Sequence, residues 1–248
     1  MSSSRGRTCH DRRMPHRPVL LVHGAWSGAW CWAGLQTELE RLGVVSHSID
    51  LPGHGDSPLP LGDLAGDARA AADAAAVIGP DTVLVGHSYG GAVITEAAAL
   101  TPVSHLLYIA AFALDDGESV NGFLRAAPRH RVELADAIRP AEDGTSTLDP
   151  ELIGPLFYPT LSESEREALA ARHSPQPNAA MTQAVVGSPR ESTPSTYVLC
   201  QRDRTVHPEH QRIMAARCDE VIELDRDHYP YIEDPVESAR IIARLAAA

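Results

Sequence analysis

The chain has 248 residues, 44% of them apolar and 22% charged, with a formal net charge of −12 at pH 7. That length and apolar content suit one large domain with a substantial core. The acidic balance argues against nucleic acid as a partner. No apolar run is long enough to span a bilayer, so no membrane contact is expected either.

All 21 basic residues are arginine. Without lysine, Schiff-base chemistry, a Ser-Lys dyad and a lysine general base are excluded. Together with abundant Ala, Pro and Asp, this composition points to a GC-rich bacterial genome. The four cysteines, Cys9, Cys31, Cys200 and Cys218, form no C-x-x-C pair and no tight Cys/His cluster of the kind that holds zinc. All four read as free thiols, the expectation for a reducing, cytoplasmic setting.

Residues 1–17 carry Arg5, Arg7, Arg12, Arg13 and Arg17 but no apolar stretch, which is not a secretory signal. They are expected to form a disordered basic tail, within which Met14 offers a second start. Pro18-Val19-Leu20-Leu21-Val22 is the first predicted strand, ending at His23-Gly24. Residues 35–42 read as a helix closed by Gly43, and 44–49 as a strand. A loop dense in turn residues follows, Asp50-Leu51-Pro52-Gly53-His54-Gly55-Asp56-Ser57-Pro58. The Ala-rich run 64–78 predicts a helix stopped by Gly79-Pro80, and 82–85 a strand. Residues 92–100 predict a helix and 104–111 a further strand.

Between about 113 and 194 the alternation fails. The segment is rich in Pro and polar residues with short helical pieces, including a capping box at Ser162-Glu163-Ser164-Glu165. A structureless loop of this length is unusual inside a domain, so a helical cap is expected at 113–194. The alternation then resumes with strands at 196–200 and 221–224 and helices at 208–216 and 235–247. Apolar strands alternating with helices predict an α/β fold, a mostly parallel sheet with helices on both faces. The core is expected to comprise 18–112 and 195–248.

The most informative stretch is Gly86-His87-Ser88-Tyr89-Gly90, a Gly-x-Ser-x-Gly pattern between an apolar strand and a helix. A chain that leaves a strand and enters a helix so abruptly holds the serine in a strained, projecting position, and the flanking glycines remove clashing side chains. The helix N-terminus favours a developing oxyanion. Ser88 is therefore the predicted nucleophile. A serine needs a base, and the base needs an orienting acid. His228 follows the last strand and is the predicted base. Asp203 follows the preceding strand and is the predicted acid, in the chain order Ser, Asp, His expected of this architecture. Asp115 and Asp116, after an earlier strand, and Asp225 and Asp227, beside the histidine, are alternatives for the acid. His23, His54 and His87 read as loop-ordering residues, and His207 and His210 as solvent-facing ones. The oxyanion hole is expected from the N–H groups of Tyr89 and Ala25, with Gly24 giving close backbone approach. Trp26, Tyr89, Phe112, Phe157, Tyr158 and Tyr229 are candidates to line the substrate pocket.

These residues resemble the α/β-hydrolase superfamily from Pro18 to the C-terminus. Within it, the opening His23-Gly24-Ala25-Trp26-Ser27-Gly28-Ala29-Trp30-Cys31-Trp32 is similar to that of the plant methylesterase and hydroxynitrile lyase group and its bacterial salicylate-ester-type esterase relatives. Asp50-Leu51-Pro52-Gly53-His54-Gly55, Ala111-Phe112-Ala113, Leu156-Phe157-Tyr158 and Pro175-Gln176-Pro177 fit the same pattern. The resemblance implies hydrolysis of a small, aromatic or apolar carboxylic ester through an acyl-enzyme, with no metal and no organic cofactor. Two departures weigh against cyanohydrin cleavage: the lyases carry lysine after the catalytic histidine and threonine in the opening loop, where this chain has Tyr229 and Gly24. Ser88 also departs from the elbow aspartate of dehalogenases and epoxide hydrolases. Lactone or thioester hydrolysis, acyl transfer and C–C bond cleavage use the same triad and remain rival readings, as does a non-catalytic ligand receptor. Oligomeric state is not readable from the sequence.

Overall fold

The computed structural model describes residues 16–247. Most of the basic tail, including Cys9 and Met14, lies outside the described residues. Six parallel strands form the main sheet in the order β2-β1-β3-β4-β8-β9. They are β1 (Val19–Val22), β2 (Ser46–Ile49), β3 (Val83–His87), β4 (His105–Ile109), β8 (Ser195–Cys200) and β9 (Glu220–Leu224). β1, β3 and β8 are buried throughout, as expected of strands covered on both faces. The edge strands β2 and β9 are only partly buried, which suits their more polar sequences SHSI and EVIEL.

Helices α1 (Ala33–Arg41) and α11 (Pro235–Ala246) pack against each other, and α2 (Leu64–Ile78) packs against α3 (Gly90–Leu100). The Asp63 carboxylate caps α2 by accepting from Gly66 N–H at 3.0 Å, replacing one unpaired donor of the first turn. The sheet separates two apolar clusters. One contains Leu20, Leu84, Val93 and Tyr108 with α2 and α3. The other contains Leu21, Trp32, Leu107 and Ile242 with α1 and α11.

Residues 113–194, which join β4 to β8, hold five short helices: α4 (Val120–Ala126), α5 (Leu134–Ala137), α6 (Pro150–Phe157), α7 (Glu163–Ala170) and α8 (Asn178–Thr182). Ser162 and Glu165 complete the predicted capping box of α7. The segment is not purely helical, however. β5 (Ile138–Pro140), β6 (Thr145–Leu148) and β7 (Gln176–Pro177) form a three-stranded antiparallel sheet. Strands of two to four residues containing Pro140 and Pro177 carry no apolar alternation, so periodicity could not show them. Two helices remain, α9 (Pro208–Ala215) and α10 (Pro230–Glu233).

The order in which strands are added switches sides at β1, which has β2 on one side and β3 on the other, all parallel. In open parallel sheets, ligand crevices form where such a switch lies, at the carboxyl ends of the strands. The loops after β1 and β3 meet there.

Candidate active site

Ser88 sits between β3 and α3 with φ +52°, in the left-handed region. A non-glycine residue holds that conformation at a cost, so the surroundings must enforce it. They do so through the backbone: Ser88 N–H donates to Ile109 O at 3.2 Å, and Ser88 O accepts from Gly91 N–H and Phe112 N–H, both at 3.0 Å. Glycine is required on either side of the turn. A Cβ at Gly86 would lie 2.5 Å from Gly90 O, and one at Gly90 would lie 2.6 Å from both His23 O and Val22 O. At Gly24 a Cβ would meet the His87 ring and Ser88 Cβ at 3.0 Å, so this glycine lets the opening loop pack directly on the turn.

His228 and Asp203 meet as their positions after β9 and β8 predict. His228 Nδ1 lies 2.7 Å from Asp203 Oδ2, and both residues are buried. Asp203 is fully engaged. Its Oδ1 accepts from Thr205 N–H (2.7 Å) and Val206 N–H (3.0 Å), and its Oδ2 also accepts from the Gln211 side-chain amide (2.8 Å). Gln211 is itself fixed, accepting from Cys200 N–H and donating to Val206 O. A carboxylate held by four donors is fixed in place, which is what an orienting acid needs. The alternatives are occupied elsewhere. Asp115 pairs with Arg190 and Arg217, Asp116 accepts from Gly187 N–H, and Asp225 and Asp227 face Arg202.

The His228 loop is tied to the Ser88 turn through His87, whose Nε2–H donates to His228 O at 2.9 Å. Burial, and then the neighbouring His228, push the His87 imidazole well below its usual pKa, so it is a neutral donor. Ser88 Oγ makes no hydrogen bond within the described residues; nucleophile–base contacts commonly tighten only when substrate binds.

The other histidines of the opening motifs order loops, as expected. His23 donates through Nδ1 to Gly24 O and accepts from Leu51 N–H at Nε2, a neutral ring whose pKa burial lowers to about 3. His54 bridges Pro52 O and the Gln176 side chain. His210 corrects the sequence expectation. It is buried, not solvent-facing, with Nε2 donating to Pro128 O at 2.7 Å, because the loop around 128–130 folds over α9.

A cavity of about 370 Å³ opens beside Ser88. Ala25, Trp26, Tyr89 and Phe112 line it together with Leu134, Ile138, Met181 and Val206, and Asn121, Arg129, His130 and His210 add polar atoms. No intramolecular acceptor takes the N–H of Ala25 or Tyr89 among the hydrogen bonds of the described residues, which leaves both free to face a ligand oxygen. Tyr89 is fixed by its hydroxyl, which donates to Asp67 at 2.6 Å; burial pushes that carboxyl up to about 7.

Phe157, Tyr158 and Tyr229 do not line this cavity. They pack behind His228, with the Phe157 ring 5.9 Å and the Tyr229 ring 5.3 Å from the imidazole. All three are buried in the second apolar cluster with Tyr231 and Trp32, whereas the cavity-lining Trp26, Tyr89 and Phe112 belong to the first. No local pattern marks Gln211 or Met181, whose places arise only through the folding of α9 and α8 against the core. Three cysteines, Cys31, Cys200 and Cys218, are free thiols as expected; burial raises Cys31 to about 12, which leaves it inert. No helix among the described residues is long and apolar enough to cross a membrane.

The fold and this arrangement define a class. The model of the alpha/beta hydrolase family matches residues 19–241, and the chain belongs to that family as an esterase-type enzyme. Among similar proteins, Methylesterase 17 of Arabidopsis thaliana is 27% identical over 260 residues, covering 96% of this chain and 94% of that protein. Norfluorocurarine synthase 2 of Strychnos sp is 28% identical, covering 91% and 94%. A pyrethroid hydrolase from Sphingobium faniae superposes with a TM-score of 0.81 at 25% identity, covering 93% of this chain and 97% of that one.

Proposed function

We propose that this protein is a serine carboxylesterase for small, apolar or aromatic esters, with methyl esters among them. The buried Asp203–His228 pair, joined through His87 to a serine in a left-handed turn, is the observation that carries this reading. Ser88 Oγ attacks the acyl carbon while His228 Nε2 takes its proton, and Asp203 stabilises the resulting imidazolium. The N–H groups of Ala25 and Tyr89 hold the tetrahedral oxyanion. His228 then gives its proton to the departing alcohol oxygen, which leaves an acyl-Ser88 ester. Water, deprotonated by His228, attacks that ester and releases the acid. The small, largely apolar cavity and the likeness to a methylesterase and a pyrethroid hydrolase support the substrate class.

The likeness to a named synthase supports a second reading, in which the same triad serves a biosynthetic step on a specialised metabolite. Two measurements separate these. A fluorophosphonate probe is expected to label the wild type and not Ser88→Ala; an unlabelled wild type would refute the serine mechanism. On a panel of aryl esters, methyl esters, lactones and thioesters, short-acyl and aromatic esters are expected to turn over fastest. Preference for lactones or thioesters would favour the second reading, and preference for long acyl chains would contradict the cavity size.

A further inference from the structure

Trp26 is held more firmly than any pocket-lining residue needs. Its φ is +59°, a conformation that side chains bulkier than glycine rarely adopt. Its N–H donates to Gln176 Oε1 at 3.2 Å. Its carbonyl accepts from Ser174 N–H at 2.9 Å and lies 3.1 Å from His173 Nδ1. Its indole N–H donates to Ser146 O at 3.0 Å and reaches Ser146 Oγ at 3.2 Å. Every one of these partners comes from the 113–194 segment, on or beside the small sheet of β5, β6 and β7. The residue before Trp26 is Ala25, whose free N–H is assigned to the oxyanion hole above.

Gln176 is the centre of this clamp. It is fully buried, and its Oε1 also faces His54 Nε2 at 3.0 Å, so one amide oxygen joins the opening loop, the Asp50–Pro58 loop and β7. The Trp26 N–H identifies the facing atom as oxygen, because two donors cannot face each other. The Gln176 amide nitrogen has no partner among the described residues, so the side chain's contacts run through its oxygen. The use the geometry offers that oxygen is to fix the peptide that follows Ala25.

We propose that Gln176 is a positioning residue for the oxyanion hole, acting through Trp26 to aim the Ala25 N–H, with Ser146 as the second anchor. This rests on the esterase reading above. It makes the 113–194 segment part of the catalytic geometry as well as a wall of the cavity. Ala25 sits one peptide from a strained residue whose hydrogen bonds all run to this segment, so loosening the clamp lets the Trp26 backbone relax and swings the donor away. The loss falls on the transition state, where charge develops on the oxyanion, and not on substrate binding.

The test is Gln176→Met, which keeps the length and removes the acceptor. Loss of one oxyanion donor costs about 10²–10³ in kcat, so misaiming one is expected to lower kcat by about 10- to 100-fold. KM should change by no more than about threefold. Affinity for an aryl trifluoromethyl ketone, which forms a tetrahedral oxyanion adduct on Ser88, should fall in parallel with kcat/KM. Ester binding measured in a Ser88→Ala background should not change. Gln176→Asn keeps the amide but is too short to reach, and it is read the same way if Gln176→Met does not fold. A folded variant with kcat within twofold of wild type would overturn the proposal. So would a loss shared equally by ester binding and ketone affinity, since that signals general collapse of the site. Failure of the wild type to hydrolyse any ester would instead count against the esterase reading itself.

Discussion

The aromatic surroundings of Ser88 and those of His228 are built in opposite ways. On one side Ser88, Trp26, Phe112 and Met181 border an open cavity. On the other, Phe157, Tyr158, Tyr229 and Tyr231 pack ring against ring, with Tyr158 and Tyr229 centroids 5.3 Å apart and Trp32 stacked on Tyr231 at 4.0 Å. Both flanks are aromatic and both draw on the 113–194 segment, yet only one can admit a ligand. Aromatic residues near His228 are therefore not by themselves a guide to the cavity side. Their place relative to the strand that carries the nucleophile decides it.

The largest effect expected on this contrast comes from the reacting groups between the flanks. Ser88→Ala should lower kcat by about 10⁶, the scale seen when a triad nucleophile is removed. Asp203→Asn should cost about 10⁴ in kcat with the fold intact, by leaving His228 in the wrong tautomer. Asp115→Asn, on a solvent-exposed ion pair, should stay near wild type in a parallel steady-state assay. The reverse pattern would move the orienting acid to the loop after β4.

On the packed flank, Phe157→Ala should destabilise the protein by about 3–5 kcal/mol, read by denaturant unfolding, while KM stays nearly constant. A large change in KM with little loss of stability would place Phe157 in the substrate site after all. On the core side of the cavity flank, the Asp67–Tyr89 contact gives a pH signature. The carboxyl of Asp67 is raised from its ordinary value to about 7, chiefly by burial. A carboxyl that binds its proton more tightly when folded stabilises the protein below its ordinary pKa. That contribution is lost as pH rises from about 4 through about 7. Asp67→Asn should flatten this part of the stability–pH profile. An unaltered profile would show that Asp67 titrates normally. The smallest effect is expected from Met181→Trp, which narrows the open side. It should raise KM for bulky aryl esters about tenfold and leave methyl acetate hydrolysis and thermal stability nearly unchanged.

Legibility differed sharply between core and insertion. The strands of the main sheet, to within about two residues at their ends, the turn at Ser88, and the places of His228 and Asp203 after their strands could be read from the sequence. Each depends on short-range pattern: apolar runs, glycines flanking a turn, a charged residue just past a strand. The helix at 64–78 matched its pattern end to end because an N-cap and a Gly-Pro stop bracket it. The insertion offered no such pattern. Its strands are short and polar, and the pairing of β6 with β7 joins residues about thirty positions apart, Thr145 with Pro177 and Ser146 with Gln176. His210 misled for the same reason, since nothing local shows that the chain near Pro128 returns to cover it.

What the sequence alone determined is a parallel α/β chain carrying a serine, an aspartate and a histidine each just past a strand of the sheet. Local sterics and strand periodicity set those positions, and both are written in neighbouring residues. What only the tertiary structure decided is which carboxylate meets His228, which aromatics face the cavity, and how the insertion grips Trp26. These depend on contacts between residues far apart in the chain. Such contacts are fixed by how whole elements pack, and no window of sequence contains that information.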